Sequence, residues 1–185
     1  MPKKAAWDYI VPVVMPLDLQ GIEAGKLPPK LLKPAVGGGK LHNLAADAWA
    51  AMVAKAKADG VELKPTSAGD TYREYELQKK GFLSRYQNEP IAGVKPKDFE
   101  GKKWYLKKGQ APLATPGKSM HNWGLAVDVA NAAEEKRINW LIANVKTFGF
   151  SWEVVPEEPW HIRYVCGNNV PQAVVEFNQQ QKAAQ

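Results

Sequence analysis

Two short stretches constrain this chain more than any other feature: Ser119 to Asp128, reading S-M-H-N-W-G-L-A-V-D, and Glu158 to His161, reading E-P-W-H. A chain with three histidines places two of them in these aspartate- and glutamate-bearing motifs. A lone histidine in a strand is ordinarily a hydrogen-bonded core or surface residue. The combination favours a metal. Neutral imidazole and carboxylate are zinc ligands, and three of them, His121, Asp128 and His161, leave a fourth position for a water whose pKa falls to roughly 7. Glu158 is then the carboxylate placed to carry that water's proton.

Local patterning fits such a site. Leu125, Val127 and Val129 alternate with Ala126, Asp128 and Ala130, the period of a half-buried strand. Asp128 thus shares a face with two alanines, which leave room for an ion. His121 precedes a turn marked by Asn122 and Gly124, so it can fold back over the strand end. Further on, Trp160, Ile162 and Tyr164 face one way and His161 the other. Glu158 and His161 would point apart on a fully extended backbone, and Pro159 supplies the bend that brings both to one metal.

Taken together, S-x-H-x-x-G-x-A-x-D and E-x-W-H resemble the zinc D-alanyl-D-alanine carboxypeptidases, a group that includes vancomycin-resistance D,D-carboxypeptidases and phage L-alanyl-D-glutamate endolysins. E-P-W-H-I-R-Y-V, Glu158 to Val165, is closest to the carboxypeptidase branch, and S-A-G-D-T-Y-R-E-Y-E-L-Q, Ser67 to Gln78, is similar to a third family segment. The resemblance runs from about Ser67 to Val165. It implies His121, Asp128 and His161 as ligands to Zn2+, Glu158 as general base and acid, and Arg73 as the cation that steadies the substrate carbonyl or its oxyanion. A fixed guanidinium aimed at developing negative charge favours the transition state over the ground state. Gln78, Ser119 and Trp160 are the expected substrate-side residues, with Gln78 also able to orient Arg73 and Ser119 equally suited to forming a turn.

Elsewhere the chain reads as one α+β domain, a small antiparallel sheet carrying the site with helices packed on one side. Its 185 residues suffice for a core. Residues 1–40 form an N-terminal extension, with Pro28, Pro29 and Pro34 and a flexible triple glycine at 37–39; residues 41–170 form the catalytic core; residues 171–185 form a helix and tail. Helices are predicted from about Asn43 to Asp59, stopped by Gly60, from Glu74 to Arg85, from Ala133 to Thr147, stopped by Gly149, and from Pro171 to Gln181. V-E-L-K-P-T-S, 61–67, reads as a strand delivering Arg73. F-S-W-E-V and W-H-I-R-Y-V read as a hairpin whose loop carries Glu157 and Glu158. Tyr86 to Lys118 is a long Gly-, Pro- and Lys-rich loop that frames the cleft. His42 is structural, and Cys166, the single cysteine, excludes an internal disulfide and reads as a buried thiol.

The net charge of +6 invites a nucleic-acid reading. The lysines look scattered and no nucleic-acid motif accompanies them, so the basic surface is expected to meet the polyanionic cell envelope instead. The opening M-P-K-K-A-A-W-D-Y-I-V-P-V-V-M-P-L mimics a signal peptide, but Asp8, Pro12 and Pro16 interrupt it, and no run approaches the ~18 apolar residues of a membrane span. The expectation is a monomeric peptidase of peptidoglycan stem peptides, made in the cytoplasm and reaching the wall by release or delivery, most like a phage endolysin. Two alternatives stand beside it: a strict D,D-carboxypeptidase, and a non-catalytic wall-binding domain whose zinc is structural. The presence of Glu158 argues against the last, since a closed structural site needs no base.

Overall fold

The structure, a computed structural model, describes residues 10–184. Most of the signal-like opening therefore lies outside the described residues. The chain is α+β, as expected: the described residues form four α-helices and three small antiparallel sheets. Strands β1 (Leu32–Pro34) and β2 (Lys40–His42) form a hairpin. The triple glycine closes that hairpin and is not a loose connection: Gly37, Gly38 and Gly39 have φ of 89°, 122° and 75°, values that only glycine adopts freely. The stretch before it is tied down too, with Leu19, Leu27 and Leu31 buried in the main core.

Helix α1 (Asn43–Ala58) runs through the middle of this core. Its buried face carries Ala45, Ala46, Ala48, Ala51 and Ala56 around Trp49 and Met52, and the small side chains let neighbours approach closely. His42 caps the helix: Nδ1 accepts from the Leu44 N–H at 3.4 Å and Nε2 lies 3.0 Å from Asp18 Oδ1. With 0% exposure it is structural, as its sequence position implied. Phe150 and Trp49 pack at 6.4 Å between ring centres in a T-shaped pair, which links the helix to the site-bearing sheet.

That sheet has the order β6 (Ala126–Asp128), β8 (His161–Tyr164), β7 (Phe150–Trp152), all antiparallel. Val127, Ile162, Tyr164, Phe150 and Trp152 are all buried in the same core; each such side chain contributes roughly 1.5–3 kcal/mol by leaving water. Helix α3 (Glu135–Asn144) adds Ile138 and Leu141 and passes into a 3-10 turn, 145–148, that ends at Gly149 with φ 77°. The predicted continuous helix to Thr147 therefore changes pitch after Asn144. Helix α4 (Gln172–Ala183) packs on α1 and buries Val174.

Residues 61–67 form no strand; they touch the sheet through one bridge, Pro65 with Val129, because Pro65 cannot donate to a ladder. Tyr86 to Lys118 is no structureless loop. After α2 (Tyr75–Arg85) it folds into β3 (Tyr86–Gln87), β4 (Lys97–Phe99) and β5 (Lys102–Leu106), in the order β3-β5-β4. This lobe has its own core of Phe82, Tyr86 and Phe99, against which Trp104, Leu106 and Leu113 pack. Its charge is also uneven. From Lys79 to Lys108 there are nine Lys and Arg against three Asp and Glu, so a segment carries a surplus equal to the whole chain's +6. The lysines are concentrated there, not scattered.

Candidate metal centre

Ser119 starts the site. Its hydroxyl accepts the His121 N–H at 3.2 Å and opens a short 3-10 turn, Met120–Trp123, that ends at Gly124 with φ 65°. A side chain at Gly124 would meet the His42 backbone N at 2.7 Å, so the turn can lie against the start of α1 only because this residue is glycine. Gly124 is held there by the His42 N–H on its carbonyl at 2.9 Å. The chain then enters β6, where Leu125, Ala126 and Val127 are fully buried and Asp128 emerges at the strand end.

His121 is buried, 3% exposed. Its Nδ1 is 2.8 Å from the Thr71 carbonyl oxygen. A carbonyl only accepts, so Nδ1 carries the proton and Nε2 presents a lone pair. Nε2 lies 3.2 Å from Asp128 Oδ1. On the neighbouring strand Asp128 pairs directly with His161, whose Nδ1 is 2.8 Å from the same oxygen. The two imidazoles stand 5.1 Å apart between ring centres. One donor atom from each of His121, Asp128 and His161 thus falls within 4.8 Å of the others, the only such group of His, Cys, Asp and Glu among the described residues. Two imidazoles and one carboxylate in this arrangement suit a metal ion such as zinc.

Electrostatics at the group are strong. Burial would raise the Asp128 pKa, but the two imidazoles beside the carboxylate outweigh it and hold it far below its usual range. Burial likewise opposes a charge on His161, yet Asp128 and Glu153 together raise its pKa to about 9. Glu153, one residue beyond the end of β7, places Oε2 3.3 Å from His161 Nε2. It was not singled out from sequence. A cross-strand reading would have found it, because Trp152 pairs with Ile162 and the next step brings Glu153 level with His161.

Arg73 is held at the same end of the fold. Its backbone N–H donates to the His121 carbonyl at 3.0 Å, and the Arg73 carbonyl accepts from Asn122 Nδ2 at 2.8 Å. Its guanidinium donates to Gly69 O at 2.9 Å, Gln78 Oε1 at 2.9 Å and Asp70 Oδ1 at 3.3 Å. Gln78 is 0% exposed, and its Nε2 donates to the Ala114 carbonyl at 2.7 Å. Both ends of that amide are engaged in the interior, so Gln78 positions Arg73 and does not face substrate. Asn122, read from sequence as a turn marker, does more: fully buried, it also accepts the Gly117 N–H at 3.2 Å and its carbonyl takes the Gly25 N–H at 2.7 Å.

Glu158 is half-buried and outside the converging group. Its backbone makes the expected bend: its N–H donates to Val154 O at 3.0 Å, and its carbonyl accepts the His161 N–H at 3.1 Å. Trp160, at 41% exposure, stands in that bend with its carbonyl bonded by the Val129 N–H. Cys166 is half-buried beyond β8, and burial pushes its thiol pKa up, as befits an unreactive thiol.

Comparison with known proteins bears on this arrangement. YodJ of Bacillus subtilis (strain 168), a carboxypeptidase by name, is 31% identical over 140 residues, covering 65% of this chain and 45% of that protein. The D-alanyl-D-alanine carboxypeptidase of Enterococcus faecalis (strain ATCC 700802 / V583) is 28% identical over 108 residues, covering 49% and 40%. The chain thus spans less than half the length of these relatives. Solved structures share the fold: the LD-carboxypeptidase LdcB, with TM-score 0.55 and 24% identity over 85% of this chain and 76% of that one, and VanYB in complex with D-alanine-D-alanine, with TM-score 0.52 and 24% identity over 81% and 83%. A mutant of the vancomycin-resistance D,D-pentapeptidase VanY in complex with Zn(II) has TM-score 0.51 and 23% identity over 84% and 89%. Residues 38–167, which include the Ser67–Gln78 segment, the His121 turn and the His161 strand, match VanY, D-alanyl-D-alanine carboxypeptidase, and the chain belongs to that family.

Proposed function

We propose that this protein is a zinc-dependent peptidase that hydrolyses a peptide bond in the stem peptides of bacterial peptidoglycan, and that it acts in wall lysis in the manner of a phage endolysin. The observation that carries the reading is the convergence of His121, Asp128 and His161 within 4.8 Å beside a tethered arginine. When bound by these three residues, zinc supplies Lewis acidity and makes water acidic enough to attack near neutral pH. Glu158 takes the proton from the attacking water and returns it to the leaving amine. Arg73, braced by Gln78 and Asp70, presents its guanidinium to the oxygen on which negative charge develops. Trp160 offers an exposed indole to the substrate at the rim, whereas Ser119 serves substrate only through the His121 turn that its hydroxyl caps.

The endolysin role draws support from the basic lobe, which suits a polyanionic wall. A strict D,D-carboxypeptidase is the second reading, favoured by the E-P-W-H-I-R-Y-V segment and by the family. Mass spectrometry of purified peptidoglycan digested by the zinc-loaded protein separates them, with Glu158→Ala run alongside. Release of stem peptides or internal cleavage establishes the endolysin, and loss of a terminal D-alanine alone establishes the carboxypeptidase. An unchanged digest with zinc-loaded wild type overturns both and leaves a wall-binding domain.

A further inference from the structure

Three side chains lie in a row across the sheet of β6, β8 and β7: Asp128, His161 and Glu153. Asp128 belongs to the converging donor group. Glu153 does not, since it has no place among the three residues whose donor atoms come together. Its carboxylate meets the far side of the His161 ring, with Oε2 3.3 Å from Nε2, and its other oxygen is 3.9 Å from Arg163 Nη1. We infer that Glu153 is a positioning residue for the metal centre: it holds the Nε2–H of His161 so that Nδ1, the nitrogen on the Asp128 side, faces the ion.

The physical reason is the asymmetry of imidazole. A neutral ring has one N–H and one lone pair, and whichever nitrogen meets an acceptor keeps the proton. Both nitrogens of His161 face carboxylates, Nδ1 at 2.8 Å from Asp128 and Nε2 at 3.3 Å from Glu153; once an ion shared with Asp128 takes the Nδ1 lone pair, the remaining proton stays on Nε2 against Glu153, and the ring becomes a better donor. The two histidines are thereby fixed in opposite senses. His121 has its Nδ1–H on the Thr71 carbonyl and ligates through Nε2, whereas His161 has its Nε2–H on Glu153 and ligates through Nδ1. His121 uses a backbone carbonyl that no side-chain substitution removes. His161 depends on one glutamate, in a residue 49% exposed at its side chain, and so can be tested by substitution without opening the core.

This inference rests on the metal reading above, and the experiment separates the two. Zinc affinity is measured by competition with a chromophoric chelator for the full chain and for Glu153→Ala, Glu153→Gln, His161→Ala and, as a control in the same turn, Val154→Ala. Loss of an acceptor behind a metal-bound histidine costs about 10–100-fold in metal affinity. Glu153→Ala is expected to weaken zinc by that factor, Glu153→Gln by less because its amide oxygen still accepts, and Val154→Ala not at all. A second readout follows the proton itself. In NMR spectra of the cobalt(II)-substituted protein, wild type gives slowly exchanging imidazole N–H signals from both histidines, and Glu153→Ala loses the one from His161. If wild type binds zinc and His161→Ala does not, yet Glu153→Ala keeps wild-type affinity and both N–H signals, the assignment of Glu153 is wrong. If wild type and His161→Ala bind zinc equally, the metal reading itself fails.

Discussion

Glu158 contributes to the site in two separable ways. Its carbonyl bonds the His161 N–H and shapes the turn into β8, and this survives truncation of the side chain. Its carboxylate is the proton carrier of the proposed mechanism. Glu158→Ala is therefore expected to cut kcat about 10²–10⁴-fold while zinc affinity, read by chelator competition, stays at the wild-type value; retained turnover would disprove the proton-transfer role. His161 allows a test by pH. Its pKa is raised from 6.5 to about 9, so in chelator-treated protein its charge contributes stability that is full below about pH 6.5 and lost as pH rises through about 9. Zinc requires the neutral ring, so its stabilisation grows over the same interval. Melting curves with chelator and with zinc across that range should diverge as pH rises, and parallel curves would refute the coupling. The converging group of His121, Asp128 and His161 and the position of Arg73 are legible in sequence because their residue types carry the chemistry in short motifs. Thr71 and the full role of Asn122 are not, since each acts on a partner that only the fold supplies: Thr71 meets His121 across 50 positions and Asn122 meets Arg73 across 49; Glu153 needs only the register of the expected hairpin, which sets it level with His161.

Among the elements, the 3-10 turn between Ser119 and Gly124 sets where His121 stands relative to β6. Gly124 is its weak point: φ is 65°, and a Cβ would come 2.7 Å from backbone N of His42. Left-handed backbone costs a residue with a Cβ roughly 1–2 kcal/mol, and about 2–4 °C of Tm follows per kcal/mol in a chain of this size. Gly124→Ala should lower Tm by at least about 2–8 °C and weaken zinc as well; calorimetry and chelator competition check both. An unchanged Tm would mean that the turn tolerates a side chain. The helices were readable because apolar periodicity and a following glycine, Gly60 or Gly149, mark them. The β3-β4-β5 lobe was not. Its strands run from two to five residues, their inward residues Phe99 and Trp104 are separated by a glutamate, a glycine and two lysines, and the ring they pack on, Phe82, comes from α2. No short window of sequence contains that core.

For the whole molecule, charge is divided as sharply as packing. Since residues 79–108 account for a surplus equal to the net +6, association with an anionic wall should depend on this lobe and on ionic strength. Raising salt from about 0.01 M to about 1 M shortens the Debye length from about 30 to about 3 Å. Binding to intact sacculi in a sedimentation assay is expected to fall over that range while hydrolysis of a soluble stem peptide holds steady; salt-independent binding would remove the electrostatic role. The lobe's small separate core has another consequence. Gln78 grips Arg73 with one end of its amide and the Ala114 carbonyl, on the lobe's return path, with the other. A lobe that opens locally, as small satellite cores do at a lower free energy than the main one, loosens the arginine while the metal-binding sheet stays folded. On heating, then, such an enzyme would fall silent before it melts: turnover would decline at a temperature where far-ultraviolet circular dichroism still reports native helix and zinc is still bound.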